Sequence, residues 1–311
     1  MTEGKGVVWV VVGPTGVGKT ALGIELALML QTEILGCDAR QFYRGMEIGS
    51  AAPTAAEQAR VLHHFVGHLE VTQDCSAGEY AAEARPFLEE MLNARHHAVV
   101  VGGSGLYLKA LLDGLDEVPK DAAVRAELNA RFGAEGLAGL LAQLDELDPA
   151  AGARIDRANP HRVIRALEAT LAGGRPYSTY LTGAASARTF DVVYIGLQAD
   201  PGRLAQRIHL RTSAMLAAGW EAEARALLPY RDRNALRTVG YREWFDCFDG
   251  VLGEADLASE IELRTRQYAK RQMTWFRKLP EVQWFEAGAT EAVLEWVEMH
   301  PKRNNPCPEA V

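Results

Sequence analysis

The sequence predicts an α/β protein, a parallel sheet flanked by helices and interrupted by an all-helical insertion. Three observations lead there. The apolar run 7–12 passes into Gly13-Pro14-Thr15-Gly16-Val17-Gly18-Lys19-Thr20 and then into a helix-forming stretch, 21–30. Two more short apolar runs, 33–37 and 98–101, end in polar or glycine-rich turns, as parallel strands do when they present ligands at their carboxyl ends. From 116 to 188 the composition turns to Ala, Leu, Glu and Arg at helical spacing, and strand character returns at 191–197.

The glycine segment has the P-loop pattern, which places the sheet in the P-loop NTPase-like class. Its glycines let backbone N–H groups wrap a polyphosphate, and the following helix aims its positive end at the same place. Lys19 can reach phosphoryl oxygens and the Thr20 hydroxyl can hold Mg²⁺. The segment 21–30 is apolar almost all round, as a helix beside a buried parallel sheet is.

The expected core is split in sequence, 1–115 and 190–299, around an insertion at 116–189. Helices are expected at 202–228 and 255–279, a last strand at 282–285, and a disordered tail at 300–311, where Pro301, Pro306 and Pro308 stand among polar residues.

With 311 residues, 48% of them hydrophobic, the chain can bury a full core. No stretch approaches the roughly 20 apolar residues of a membrane span, and no charged-then-apolar leader opens the sequence, so a cytoplasmic location is expected. Cys37, Cys75, Cys247 and Cys307 lack metal-site spacing and fit a reducing compartment. The net charge of −8 argues against indiscriminate polyanion binding. Locally the balance reverses: between Glu262 and Lys278 lie six basic residues and one acid. Helical spacing sets Arg264, Arg271 and Lys278 on one stripe and Arg266, Lys270 and Arg277 on another. Ile261, Tyr268, Trp275 and Leu279 form the expected apolar seam between them. Such a helix is either a nucleic-acid contact or an ordinary solvated face.

Asp38 ends an apolar strand, where side chains reach the ligand crevice, and no other apolar strand runs directly into an acid. Three roles are open to it: a water-mediated Mg²⁺ ligand, a general base, or a cap for the following turn. The turn Gly102-Gly103-Ser104-Gly105 brings N–H groups and a hydroxyl to the same edge. His63-His64 has no third ligand at metal spacing, and Tyr80, Tyr107, Trp220, Tyr241, Trp244 and Trp275 read as packing residues. On these residues alone, a small-molecule kinase using ATP and a nucleotide-dependent RNA-binding switch are both open.

Six blocks, in order along 7–285, carry a resemblance to the tRNA dimethylallyltransferases. They are the P-loop, 38–50 (DARQFYRGMEIGS), 101–109 (VGGSGLYLK), 159–168 (NPHRVIRALE), 239–243 (VGYRE) and 265–272 (TRQYAKRQ). The resemblance implies prenyl transfer: dimethylallyl diphosphate as donor, N6 of the adenosine next to the anticodon, position 37, as acceptor, and pyrophosphate as leaving group. Gly13, Pro14, Thr15, Gly16, Val17, Gly18, Lys19 and Thr20 would then hold the donor diphosphate, with Mg²⁺ on Thr20 and with Arg207 or Arg211 approaching it. Asp38 would act as base, with Lys19, Thr20, Ser104 and Arg211 stabilising the departing charge. The implied tRNA contacts are Asp38, Ala39, Arg40, Gln41, Ser104, Arg125, His161, Arg162, Arg165, Arg237, Gly240, Tyr241, Arg242, Lys270 and Arg271. The implied partners are a tRNA anticodon stem-loop and dimethylallyl diphosphate, with no membrane and a monomeric chain. The insertion would clamp the anticodon stem. The chain departs from the family pattern in three places: Ala39 stands for a serine, Ser104 for a threonine, and a lysine near Ala51-Ala52-Pro53 is missing.

Overall fold

The computed structural model describes residues 6–183 and 188–304. In chain order the regular elements of the first part are β1 (Val7–Val12), α1 (Lys19–Met29), β2 (Ile34–Gly36), α2 (Ala55–Arg60), β3 (His63–His64), α3 (Ala77–Arg95), β4 (His97–Val101) and α4 (Gly105–Asp113). Next come α5 (Ala122–Glu135), α6 (Ala138–Leu147), α7 (Pro149–Arg154) and α8 (Pro160–Gly173). The last part holds β5 (Asp191–Gln198), α9 (Pro201–Ala217), α10 (Trp220–Leu227), α11 (Tyr241–Phe248), α12 (Glu254–Phe276), β6 (Gln283–Glu286) and α13 (Thr290–Met299).

Six parallel strands form one sheet in the order β3-β2-β4-β1-β5-β6. Strand β1 lies inside it, with Val7 opposite His97 on one side and Asp191 on the other. All six of its residues are fully buried, which is why its run is apolar without alternation. Both sheet faces are covered. Helices such as α3, α4 and α12 pack over one face, and α1 and α13 over the other. The two-residue edge strand β3 and helices α3 and α13 lie outside the sequence expectation.

Contacts divide the chain into two compact units, 1–113 with 187–311, and 114–186. The second unit has its own core around Leu128, Leu140, Leu144, Val163, Ile164 and Leu167. Its helix α8 starts with Asn159 accepting from the Arg162 N–H and Pro160 in the first turn, and ends at Gly174 in the left-handed region. The tail expected to be disordered opens with a 3-10 turn, Pro301–Asn304, and residues 305–311, Cys307 among them, lie outside the described residues.

The seam of α12 differs from its expected position. Leu257, Ile261, Thr265, Ala269, Gln272 and Phe276 are the buried residues, while Trp275 is 37% exposed. Small Thr265 and Ala269 suit the helix face that packs against the core, and Tyr268 and Trp275 sit to one side of it.

Candidate active site

The P-loop joins β1 to α1, and Gly18 caps that helix at φ 104°, a left-handed conformation in which a side chain would be strained. The turn puts Lys19 and Thr20 in the first helical turn. The Lys19 ammonium folds back over the loop and donates to the carbonyls of Gly13 and Pro14, both at 3.1 Å. Burial lowers its pKa to about 8, opposed by the Asp38 carboxylate and reinforced by Arg211. Thr20 makes no side-chain hydrogen bond to another described residue.

Helix α9 brings two arginines to this loop, one turn apart on the same face. Arg207 Nε donates to Gly16 O at 2.8 Å, and Arg211 Nη2 donates to the Thr15 hydroxyl at 2.8 Å. Asp200 caps α9 by accepting from the Arg203 N–H, and Pro201 fixes its first turn, so both reach the loop from a rigid support. Burial lowers the pKa of Arg211, opposed by Asp38, and it stays a cation.

Asp38 follows β2. Its Oδ1 accepts the Arg40 N–H at 3.1 Å, so the capping role is real but occupies one oxygen. The glycine turn is pressed against it: a Cβ on Gly102 would meet Cys37 O at 1.9 Å, and one on Gly103 would lie 3.1 Å from Asp38 Oδ2. The Ser104 hydroxyl accepts the Ala39 N–H at 3.0 Å, which ties the turn to the residue after Asp38. Ala39 brings no hydroxyl of its own to that edge.

Two cavities meet here. The smaller, about 60 Å³, is lined by Thr15, Asp38, Arg211, Ser50 and Trp220 among others. The larger is an open groove of about 680 Å³ lined by Ala39, Ser104, Tyr107, Arg237, Arg242 and Arg271 among others. Arg40, Thr238, Val239 and Tyr268 line both. Arg237, Arg242 and Arg271 form no ion pair among the described residues, whereas Arg264 in the same groove is held by Glu260 at 2.7 Å. The unpaired arginines therefore give the groove positive charge available to an anionic partner.

Several of the expected RNA contacts are bonded within the protein or lie outside the groove. Gly240 and Tyr241 are buried: the Gly240 N–H donates to Glu243 at 2.5 Å and the Tyr241 hydroxyl to Glu223 at 2.6 Å. The Gln41 amide donates to Ala51 O at 2.9 Å and Ser50 O at 3.3 Å, closing its own loop. Arg40 Nη1 donates to Asn234 O at 2.8 Å. Lys270 is exposed on α12 but does not line the groove, which takes Arg271 instead.

In the insertion unit, Arg125 and Arg165 converge on Glu168, at 2.5 and 2.9 Å. Arg165 also donates to the carbonyls of Pro119 and Val118. Glu168 is 2% exposed; burial alone would raise its pKa, but the hydrogen bonds from the two arginines outweigh it and hold the carboxyl below its ordinary range. His161 and Arg162 are exposed in the first turn of α8.

Four side chains at or beside the site escape the sequence reading. Tyr268 and Trp220 read as apolar packing, yet both line the small cavity. Gln272 is hidden inside the basic run; its one signal is that it falls in register with Ile261, Thr265, Ala269 and Phe276. Glu223 accepts from the Ile48 and Gly49 N–H groups, both at 2.8 Å, and no local pattern marks it.

A family model described as IPP transferase matches residues 41–279. A tRNA dimethylallyltransferase of Christiangramia forsetii is 44% identical over 277 residues, spanning 89% of this chain and 92% of the relative. The tRNA dimethylallyltransferase 2 of Porphyromonas gingivalis is 43% identical over 287 residues, spanning 92% and 96%. The crystal structure of a tRNA isopentenylpyrophosphate transferase from Bacillus halodurans superposes with a TM-score of 0.69 at 32% identity, over 96% of this chain and 97% of that one.

Proposed function

Because this chain belongs to the IPP transferase family, we propose that it transfers a dimethylallyl group from dimethylallyl diphosphate to N6 of adenosine 37, beside the tRNA anticodon, and releases pyrophosphate. One observation carries the reading. The P-loop and Asp38 face a common small cavity, which shares four lining residues with a groove rich in unpaired arginines.

The adenine N6 lone pair attacks the allylic C1, the C1–O bond breaks, and its electron pair leaves on the diphosphate. Asp38 takes the N6 proton through the oxygen not held by the Arg40 N–H. Lys19, Arg211 and the loop amides lower the barrier by meeting charge as it grows on the leaving oxygen. Thr20, with its free hydroxyl, is the residue that would hold Mg²⁺, an ion that keeps several waters and needs no all-protein cage. Bound there, it would neutralise diphosphate charge.

A base must leave its stack to reach this cavity, so the acceptor enters extruded. Arg237, Arg242 and Arg271 meet the backbone of the anticodon loop, and Ser104 and Arg40 lie at the mouth through which the base passes. In the insertion, His161 and Arg162 are the exposed candidates for RNA contact, with Arg125 and Arg165 holding the fold of the unit. Among the described residues no helix is long and apolar enough to cross a membrane. The relatives' names speak of prenyl and not of phosphoryl transfer. Incubating the chain with an anticodon stem-loop and either dimethylallyl diphosphate or ATP tests this: prenylated adenosine is expected with the first, and ADP release without prenylation would refute it.

A further inference from the structure

We infer that Gln272 is a positioning residue for transfer: its one carboxamide ties the donor loop to the Gly103 turn and so sets the distance between the diphosphate cradle and Asp38. The inference rests on the reading of the site given above.

Gln272 is 5% exposed, and a buried carboxamide is costly unless both of its ends are bonded. Both are. Its Oε1 accepts the Thr15 N–H at 2.8 Å, and its Nε2 donates to Gly103 O at 2.9 Å. An N–H can only donate and a carbonyl can only accept, so these partners fix which way the amide points. The contact joins segments that are 257 and 169 positions away from Gln272 in the chain.

From each end the connection continues to a reacting group. Gly13 and Pro14, just before Thr15, hold the Lys19 ammonium through their carbonyls. Ser104, just after Gly103, accepts the Ala39 N–H beside Asp38. A Cβ at Gly103 would stand 2.4 Å from Gln272 Nε2, so only glycine lets the amide pass this close to the carboxylate. With the Thr15 N–H spent on Gln272 and the Val17 N–H on Pro14 O, the diphosphate is left with the amides of Gly16, Gly18, Lys19 and Thr20. Gln272 does not line either cavity, so it acts through the two segments it joins.

The test compares the full chain with Gln272→Met and Gln272→Glu, reading single-turnover transfer to an anticodon stem-loop and binding of inorganic pyrophosphate. Gln272→Met keeps the length and offers neither bond, so transfer should fall about tenfold or more while pyrophosphate affinity stays within about twofold. Gln272→Glu adds a pH signature. When protonated, the new carboxyl can donate to Gly103 O and accept from Thr15; when ionised it faces the carbonyl and repels it. Its rate relative to the unaltered chain should therefore climb as pH is lowered from about 8 to about 6.

Amide hydrogen exchange at Thr15 reads the contact without substrate, and it should quicken about tenfold or more in Gln272→Met. An unaltered chain that transfers no prenyl group would overturn the reading of the site, and Thr15 exchange would still decide the contact. The positioning role is overturned by transfer within about twofold in Gln272→Met, by an equal loss of pyrophosphate affinity, by a pH-independent ratio, or by unchanged Thr15 exchange.

Discussion

Two pairs of arginines in this chain, alike in sequence character, are used in opposite ways. Arg125 and Arg165 in the insertion unit converge on one buried carboxylate, Glu168, and Arg165 also donates to two backbone carbonyls. Each of the two therefore has a carboxylate partner within the unit. Arg207 and Arg211 reach the P-loop instead, bonded to a carbonyl and a hydroxyl, with no carboxylate at ion-pair distance among the described residues. With Lys19 they leave the loop short of negative charge, and a polyanion supplies what the protein does not. A partly buried arginine thus marks a site where it has no carboxylate partner and a scaffold where it has one.

The largest expected effect falls on the unbalanced side. Asp38→Asn should lower single-turnover transfer by about 10²- to 10⁴-fold while RNA affinity, read by filter binding, changes little. An equal loss of RNA binding would remove Asp38 from the role of base. Next comes a direct contrast between the pairs. Arg211→Met should cost about 10²-fold or more in transfer, yet leave thermal stability unchanged or raised, because it relieves a partly buried cation that has no ion pair. Arg165→Met should do the reverse to stability, costing about 1–3 kcal/mol by leaving buried Glu168 short of a partner. Denaturant melts of both variants decide it, and similar stability losses would erase the distinction.

The pH dependence of donor binding sharpens the same contrast. Lys19 titrates at about 8 in the free protein, and a bound polyanion favours its charged form. Below that pH the ammonium is already present and affinity is full. Above it, binding must take up a proton, so pyrophosphate affinity should fall by about tenfold per pH unit until the pKa of the complex is reached. Calorimetry on the unaltered chain and on Lys19→Ala checks this, since the variant should lose that step. The smallest effect is at the groove: Arg271→Ala should reduce the slope of log affinity for tRNA against log salt by about one, and Lys270→Ala, outside the groove, by less.

What could be read from the sequence follows from how local the signal is. The continuous run of β1, the P-loop and the acid after β2 are each set by neighbours within a few residues, and they stand together in the structure. The seam of α12 misleads because Tyr268 and Trp275 have the apolar character of core residues, while the face that packs inward carries small Thr265 and Ala269. Gly240 and Tyr241 stand in the chain beside Arg237 and Arg242, yet Tyr241 is buried against Glu223, 18 positions away. Gln272 carries one local mark, its register with the buried face of α12, but nothing local names its partners, which are two distant backbone groups.

The central claim, that the P-loop holds a leaving group, is tested most directly by nucleoside mass analysis of tRNA after incubation with dimethylallyl diphosphate. One adenosine beside the anticodon should carry a dimethylallyl group, with pyrophosphate released in equal amount. Unmodified tRNA in a reaction that turns ATP into ADP would contradict it.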